Sequence, residues 1–240
     1  MLPGYKLFGA IDIYYSFHVL GFVVLTAFAL WASGKYHIPR WKIIVLAAVI
    51  YAATYTWMLL LYWIASGFKS FGGQNIVRVF IWMPLFTFLC SRALKVNWLD
   101  VADISSVTMT VNFGIAHVGC IFAGCCYGYE SSGLHIYNAI YNRYLFPVQL
   151  FESATALAIA VFLIWRMKKT QFITNGELYP LMMMLFGSTR FIWEFFRDNE
   201  KLFFGISNLA IHALIMGVVG TAWYLTIRDR NANKQLRRKH

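Results

Sequence analysis

Seven runs of about twenty predominantly apolar residues leave this chain few folds to choose from. They lie near residues 11–32, 43–65, 76–94, 103–124, 147–165, 178–196 and 206–227. As a helix, each is long enough to cross a hydrocarbon core about 30 Å thick. In lipid, a single helix satisfies its own backbone hydrogen bonds, which an open strand cannot do. Hydrophobic residues make up 60% of the chain and charged residues 13%, against about 45–50% and about 25% in soluble domains. So few polar residues cannot cover a water-facing surface of this size. The chain therefore reads as an all-α integral membrane protein with about seven transmembrane helices. The fourth and sixth runs carry several polar groups and are read as spans partly because the topology needs them. Connections are short apart from 125–146, and no repeat is visible, so residues 1–240 read as one polytopic domain.

The formal net charge of +11 would suit a nucleic-acid partner if it were spread over a binding face, but much of it is concentrated at one end. Residues 228–240 carry Arg228, Arg230, Lys234, Arg237, Arg238 and Lys239 directly after an apolar run. A basic tail in that place anchors to anionic headgroups. No basic–aromatic platform accompanies it, so nucleic acid is not an expected partner. About 14 of the 21 Lys and Arg fall in the tail and in the loops after runs one, three and five, and about five in the N-terminus and the other loops. By the positive-inside rule the N-terminus is outside and the C-terminus cytoplasmic, as an odd number of spans requires. Only Lys6 precedes the first run, which is too long for a cleavable signal.

An ionisable residue at the centre of a span costs about 2.5–3.5 kcal/mol, so each one calls for a reason. The densest group is Arg190-Phe191-Ile192-Trp193-Glu194-Phe195-Phe196-Arg197. At helical spacing Arg190, Glu194 and Arg197 share a face, with aromatic residues toward lipid. Two readings stand: an internal salt bridge with Arg197 snorkelling to the interface, or an arginine that grips a phosphate while Glu194 orients it. A second group runs from Gly114 to Gly128 and holds His117, Gly119, Cys120, Gly124, Cys125 and Cys126. Its H-x2-C-x4-C-C spacing is not a standard zinc arrangement, so no metal is expected. A disulfide or packed thiols are the simpler reading on an oxidising side. A third group is Phe146-Pro147-Val148-Gln149-Leu150-Phe151-Glu152-Ser153, in which a proline opens a span and Glu152 is placed to meet an arginine. Tyr14, Phe71-Gly72-Gly73 and Asp103 complete the candidates, while His18 and His212 read as helix-packing histidines. With the N-terminus outside, all of these except Asp103 converge at the outer leaflet, where an anionic lipid would enter.

These motifs, in this order, resemble the prolipoprotein diacylglyceryl transferases, bacterial inner-membrane enzymes with seven transmembrane helices. The likeness runs from Tyr14 to about Gly217 and rests on Val101-Ala102-Asp103, the glycines at 119, 124 and 128, Pro147-x-Gln149-Leu150-Phe151-Glu152, Gly176-Glu177-Leu178 and Arg190-Phe191-Ile192-x-Glu194-Phe195-Phe196-Arg197. It implies transfer of the diacylglyceryl group from phosphatidylglycerol to the lipobox cysteine thiol of a prolipoprotein signal peptide, with no cofactor. It also implies that Arg190 binds the phosphate, that Glu194 and Glu152 orient the cations and that Gln149 holds the glycerol portion. Tyr14, Gly72, Gly73, Asp103, Gly119, Gly124, Gly128 and Arg197 would line the substrate site. The chain departs from the family pattern in three places. Phe71 replaces the histidine of a His-Gly-Gly motif, His117 and Cys125 replace an arginine and a carboxylate, and Phe186 replaces a tyrosine. His117 then serves as phosphate donor or as base. Two other classes fit the same departures: a non-catalytic lipid-binding homologue, and a thiol- or metal-dependent membrane protein built on Cys120–Cys126.

Overall fold

The computed structural model describes residues 6–7, 11–69, 76–201 and 205–237. Among the described residues seven helices dominate: α1 (Ile13–Lys35), α2 (Arg40–Ala65), α3 (Ile76–Ala93), α4 (Trp98–Phe122), α5 (Val148–Lys169), α6 (Leu178–Glu194) and α7 (Asn208–Arg237). Two short antiparallel hairpins join them, β1 (Lys6–Leu7) with β2 (Ile11–Asp12), and β3 (Ile136–Asn138) with β4 (Arg143–Leu145). Each of the seven apolar runs has become a helix. Five of these, α1, α2, α4, α5 and α7, are long and apolar enough to cross a membrane by themselves. The 18-residue α3 contains Arg78 and Pro84, and the 17-residue α6 contains Pro180, Arg190 and Glu194, so neither reaches that standard alone. The molecule is a helical membrane protein.

The most polar of the long helices is the most enclosed. Within the apolar window of α4, 67% of residues are buried, against 17% in α1 and 28% in α2. α4 packs against α1, α3, α5 and α6. Its Ser106 and Thr110 hydroxyls donate to the helix's own carbonyls, of Asp103 at 2.7 Å and Ser106 at 2.6 Å, so burial leaves neither donor unpaired. Outward-facing α1 and α2 expose Val19, Phe22, Val23, Ile44 and Val49. Apolar surface of that extent is untenable in water and natural against acyl chains. α4 begins at Trp98, five residues before the expected start, because the Asn97 side chain caps it by accepting from the Leu99 amide at 3.3 Å. α7 continues past Ile227 to Arg237, so the backbone of most of the basic tail is helical rather than a loose anchor.

Asp103 is fully buried, and it joins α4 to α6. Its carboxylate accepts from the Gly176 amide at 2.8 Å, the Leu178 amide at 2.8 Å and the Thr174 hydroxyl, which is in turn bonded to Tyr36 Oη at 2.7 Å. The Leu178 amide is one of the four that the first turn of α6 leaves without a helical partner. Asp103→Ala should therefore destabilise the protein by about 2–5 kcal/mol, since it strands buried donors, and Asp103→Asn by less. Thermal unfolding of the purified protein in detergent checks this, and equal stability of all three proteins would contradict it.

Candidate active site

At the far end of α6 from Asp103, four charged side chains and a histidine meet. Glu152, one turn into α5 and 2% exposed, is the centre. Its Oε2 lies 2.6 Å from His117 Nε2 and 2.7 Å from Arg197 Nη2, and its Oε1 accepts from Arg197 Nε at 3.0 Å and from Arg190 Nη1. Arg190 Nη1 is also ion-paired to Glu194 Oε2 at 2.9 Å. Glu194 Oε1 accepts from Ser207 Oγ at 2.8 Å and from the Asn199 amide group. His117 stacks on Phe113, with 4.5 Å between ring centroids and 25° between planes. Arg197 Nη2 lies 3.1 Å from His117 Nε2. A ring nitrogen carries either a proton or a lone pair, and the shorter contact to a carboxylate assigns the Nε2 proton to Glu152. The His117 Nδ1 lone pair then faces Cys120 Sγ, 3.6 Å away.

The cations face a cavity and the carboxylates stand behind them. Arg190, Arg197, His117, Cys120, Cys125, Cys126 and Tyr14 all line a space of about 410 Å³ among α1, α2, α3, α4 and α6, while Glu152 and Glu194 do not. Its other walls are mainly apolar and aromatic, including Ile50, Met58, Met83, Met109 and Phe113. A small apolar cleft between α1, α2 and α4 continues from it, sharing Ile50, Tyr51, Met83, Met109 and Asn112. A larger open groove of about 680 Å³ between α2 and α3 is lined by no charged group. Arg190 Nε has no hydrogen-bond partner among the described residues, so a buried donor remains for an anionic ligand. Burial works against the Arg197 charge and Glu152 outweighs it, holding its pKa above the ordinary arginine value. Hydrogen bonds from Cys120 and then Cys125 hold the Cys126 thiol well below its ordinary pKa.

The loop after α4 delivers these groups. Gly124, at φ +64°, turns the chain out of the helix, and a Cβ there would collide with Ile140 Cδ1. Gly128 threads between two backbones: a Cβ would meet Phe196 O at 2.6 Å and Phe146 O at 2.8 Å. Its bridge to Arg197 fixes that arginine's backbone beyond the end of α6. Gln149 donates to Cys125 O at 2.7 Å, holding the same loop. Cys126 adopts a left-handed backbone, φ 59°, unusual for a side chain of this kind.

Seven of the expected site residues come together here: Tyr14, His117, Glu152, Arg190, Glu194 and Arg197 at the cavity or directly behind it, with Gln149 supporting its rim. Gly119, Gly124 and Gly128 are packing and turn positions and are not among the residues that line the cavity. At Gly119 a Cβ would meet Tyr14 O and Phe17 Cβ, each at 3.1 Å. Asp103 is not at the site: it lies fourteen residues down α4 from His117, about 21 Å at helical rise, and serves as the α6 anchor. Gly72 and Gly73, with Phe71, lie outside the described residues. Arg197 does not snorkel but is 5% exposed and makes the paired contact to Glu152. No disulfide forms among the described cysteines, all four of which are free. His18, read from sequence as a packing residue, also lines the cavity, as does Asn112.

The fold is thus that of a helical membrane protein with apolar outward faces, and its buried arginines line an apolar-walled cavity. The family model for prolipoprotein diacylglyceryl transferase matches residues 9–226, and the chain belongs to that family. It is 31% identical over 163 residues to the phosphatidylglycerol–prolipoprotein diacylglyceryl transferase 2 of Clostridium perfringens, covering 63% of each chain. It is 30% identical over 115 residues to the corresponding protein of Clostridium tetani, covering 45% of each. With the protein of that name from Campylobacter curvus the identity is 22% over 187 residues, 75% of this chain and 67% of the relative. The chain thus matches less than two thirds of the length of the two clostridial relatives.

Removing one partner from a buried ion cluster leaves the others uncompensated, at about 3–5 kcal/mol. Glu152→Ala should therefore destabilise the protein by about that much, more than any exposed Glu→Ala such as Glu130→Ala, whose pairing with Arg143 at 3.9 Å is solvent-exposed. Thermal unfolding of both variants in detergent tests this.

Proposed function

We propose that this protein transfers the diacylglyceryl group of phosphatidylglycerol to the lipobox cysteine thiol of prolipoproteins, as a multi-pass enzyme of the bacterial inner membrane. On this reading all seven helices cross the bilayer in a single domain, with the N-terminus outside and the C-terminus cytoplasmic. The observation that carries it is the pair of buried guanidiniums lining an apolar-walled cavity, with their counter-charges on the side away from it.

The reaction replaces a carbon–oxygen bond at the glyceryl carbon with a carbon–sulfur bond, and glycerol phosphate leaves. Charge grows on the departing phosphate, and preorganised cations in a water-poor site lower that barrier most effectively. Arg190 and Arg197 are such cations, and Glu152 and Glu194 fix the planes of their guanidiniums. The Met- and Phe-lined walls of the cavity suit the apolar part of the lipid next to its headgroup. The incoming thiol must lose its proton to become nucleophilic. That task falls to the His117 corner of the cavity, where Nδ1 faces Cys120 and Glu152 orients the ring.

Purified protein supplied with phosphatidylglycerol and a lipobox peptide should yield diacylglyceryl-peptide and glycerol phosphate in equal amounts. Lipid bound without product would favour a non-catalytic lipid-binding protein. Arg190→Lys should lower transfer at least about a hundredfold while the protein still inserts, because a point charge cannot replace a planar fork shared between a carboxylate and a phosphate. Near-normal turnover by that variant would make Arg190 a structural ion-pair partner only. For topology, a reporter placed after Arg237 should read cytoplasmic and one within residues 129–144 extracytoplasmic. The opposite pattern would place the cavity toward the wrong leaflet.

A further inference from the structure

The phosphate-binding role uses Arg190, Arg197 and their carboxylates but leaves the thiols beside His117 without a task. We infer that His117 Nδ1, Cys120 Sγ and Cys126 Sγ hold a thiophilic divalent metal ion of the zinc class, whose fourth position faces the cavity and takes the substrate thiol as thiolate. The metal site stands on its own geometry; its use in thiol activation rests on the transfer reading above.

One ligand atom from each of His117, Cys120 and Cys126 lies within 4.8 Å of the other two. Tetrahedral zinc, with bonds of about 2.0–2.1 Å to nitrogen and about 2.3 Å to sulfur, sets a nitrogen and a sulfur ligand about 3.6 Å apart. His117 Nδ1 and Cys120 Sγ are 3.6 Å apart. His117 and Cys120 are three residues apart on α4 and so share a face, and the left-handed backbone at Cys126 follows the turn that brings the third ligand back beneath them. Glu152, 2.6 Å from Nε2, accepts the other ring proton. A carboxylate behind a ligating histidine fixes its tautomer and raises its basicity, as is usual for metal-bound imidazole. Three protein ligands with one side open is the arrangement of a catalytic zinc rather than a structural one, and all three of these residues line the cavity. Two thiolates balance the ion's charge, while Arg190 and Arg197 already have Glu152 and Glu194. The ion therefore adds no net charge to a buried site.

The chemistry closes without a further reactant. The substrate S–H bond breaks as sulfur binds the metal, which deprotonates a coordinated thiol outright, and the proton passes to water. A sulfur lone pair then forms the C–S bond at the glyceryl carbon. The C–O bond to phosphate breaks with its electron pair on oxygen, and the departing glycerol phosphate takes up a proton from water. Nothing is oxidised or reduced. A metal in this role would do the work of the histidine that Phe71 replaces in the family motif.

Titrating the full-length protein in detergent with Co²⁺ tests the site directly, because thiolate ligands give cobalt a charge-transfer absorption in the near ultraviolet. About one Co²⁺ per chain should bind with that absorption and be displaced by Zn²⁺. Cys120→Ser and Cys126→Ser should each abolish or strongly weaken it, and Cys90→Ser should not. Absence of the absorption in the unmodified protein, or its survival in both of the first two variants, overturns the metal site. In the Arg190→Lys protein, where turnover is suppressed, a lipobox peptide with a free thiol should intensify the absorption and its S-alkylated form should not. Indifference to the free-thiol peptide overturns the open fourth position, as would a site closed by Cys125. Cobalt bound in this way by a protein that transfers nothing from phosphatidylglycerol supports the metal site and overturns the transfer reading alone.

Discussion

Burying the Glu152 carboxylate beneath two guanidiniums and an imidazole ties four segments together: α5, which carries it, α4 through His117, α6 through Arg190, and the turn beyond α6 through Arg197. Taking that many charges out of water is costly, and the cost is offset only when each has a partner at close range. Here each does. Glu194 completes the set by neutralising the second arginine and is itself held by Asn199 and Ser207. The exposed surface of the protein is free to be apolar because its ionic chemistry is self-contained.

The same division of labour explains the placement of the helices. α1 and α2, apolar on nearly all sides, lie outermost, whereas α4, rich in Ser, Thr and Asp, runs through the middle. In a bilayer the interior of a helical protein is its polar refuge, the reverse of a soluble core. α3 and α6 are too short or too polar to be spans by composition alone, yet α6 carries Arg190 and Glu194 into the interior. The helices that look least like spans in the sequence are among those that carry the chemistry.

Apolar run length located most of the helices, because a helix satisfies its own backbone in lipid, and the fourth and sixth runs needed the topology argument as well. It failed where polar residues interrupt the run. α4 starts before Asp100 and Asp103 because an asparagine cap and burial inside the bundle override the hydropathy signal, and α7 extends into a basic segment that hydropathy marks as its end. At the site, charge in an apolar context pointed to Arg190, Glu152 and Glu194. Arg197 could not be placed by helical periodicity, since α6 has ended and a backbone bridge to Gly128 directs it. Asn199 and Ser207 lie in a connection without periodicity. Cys126 reaches His117 through two left-handed residues, at 124 and 126, which no spacing rule anticipates. Asp103 drew notice for the same reason as Glu152, a carboxylate in an apolar run, and only its partners distinguish an anchor from a site.

The two ends of the α4–α6 pair are fastened by different kinds of bond. At the Asp103 end the ties are to backbone amides and a hydroxyl, which have no competitor once water is excluded. At the Glu152 end they are ionic, and a phosphate offers the same arginines an equivalent partner. The pair is therefore a set of tweezers, riveted at one tip and latched by exchangeable charge at the other. A headgroup that took its share of Arg190 and Arg197, as the proposed function requires, would act on the latched tip and leave the riveted one untouched. Under the proposed function, arrival of the lipid would be felt mechanically at one end of the bundle only, beside the loop that carries Cys125 and Cys126.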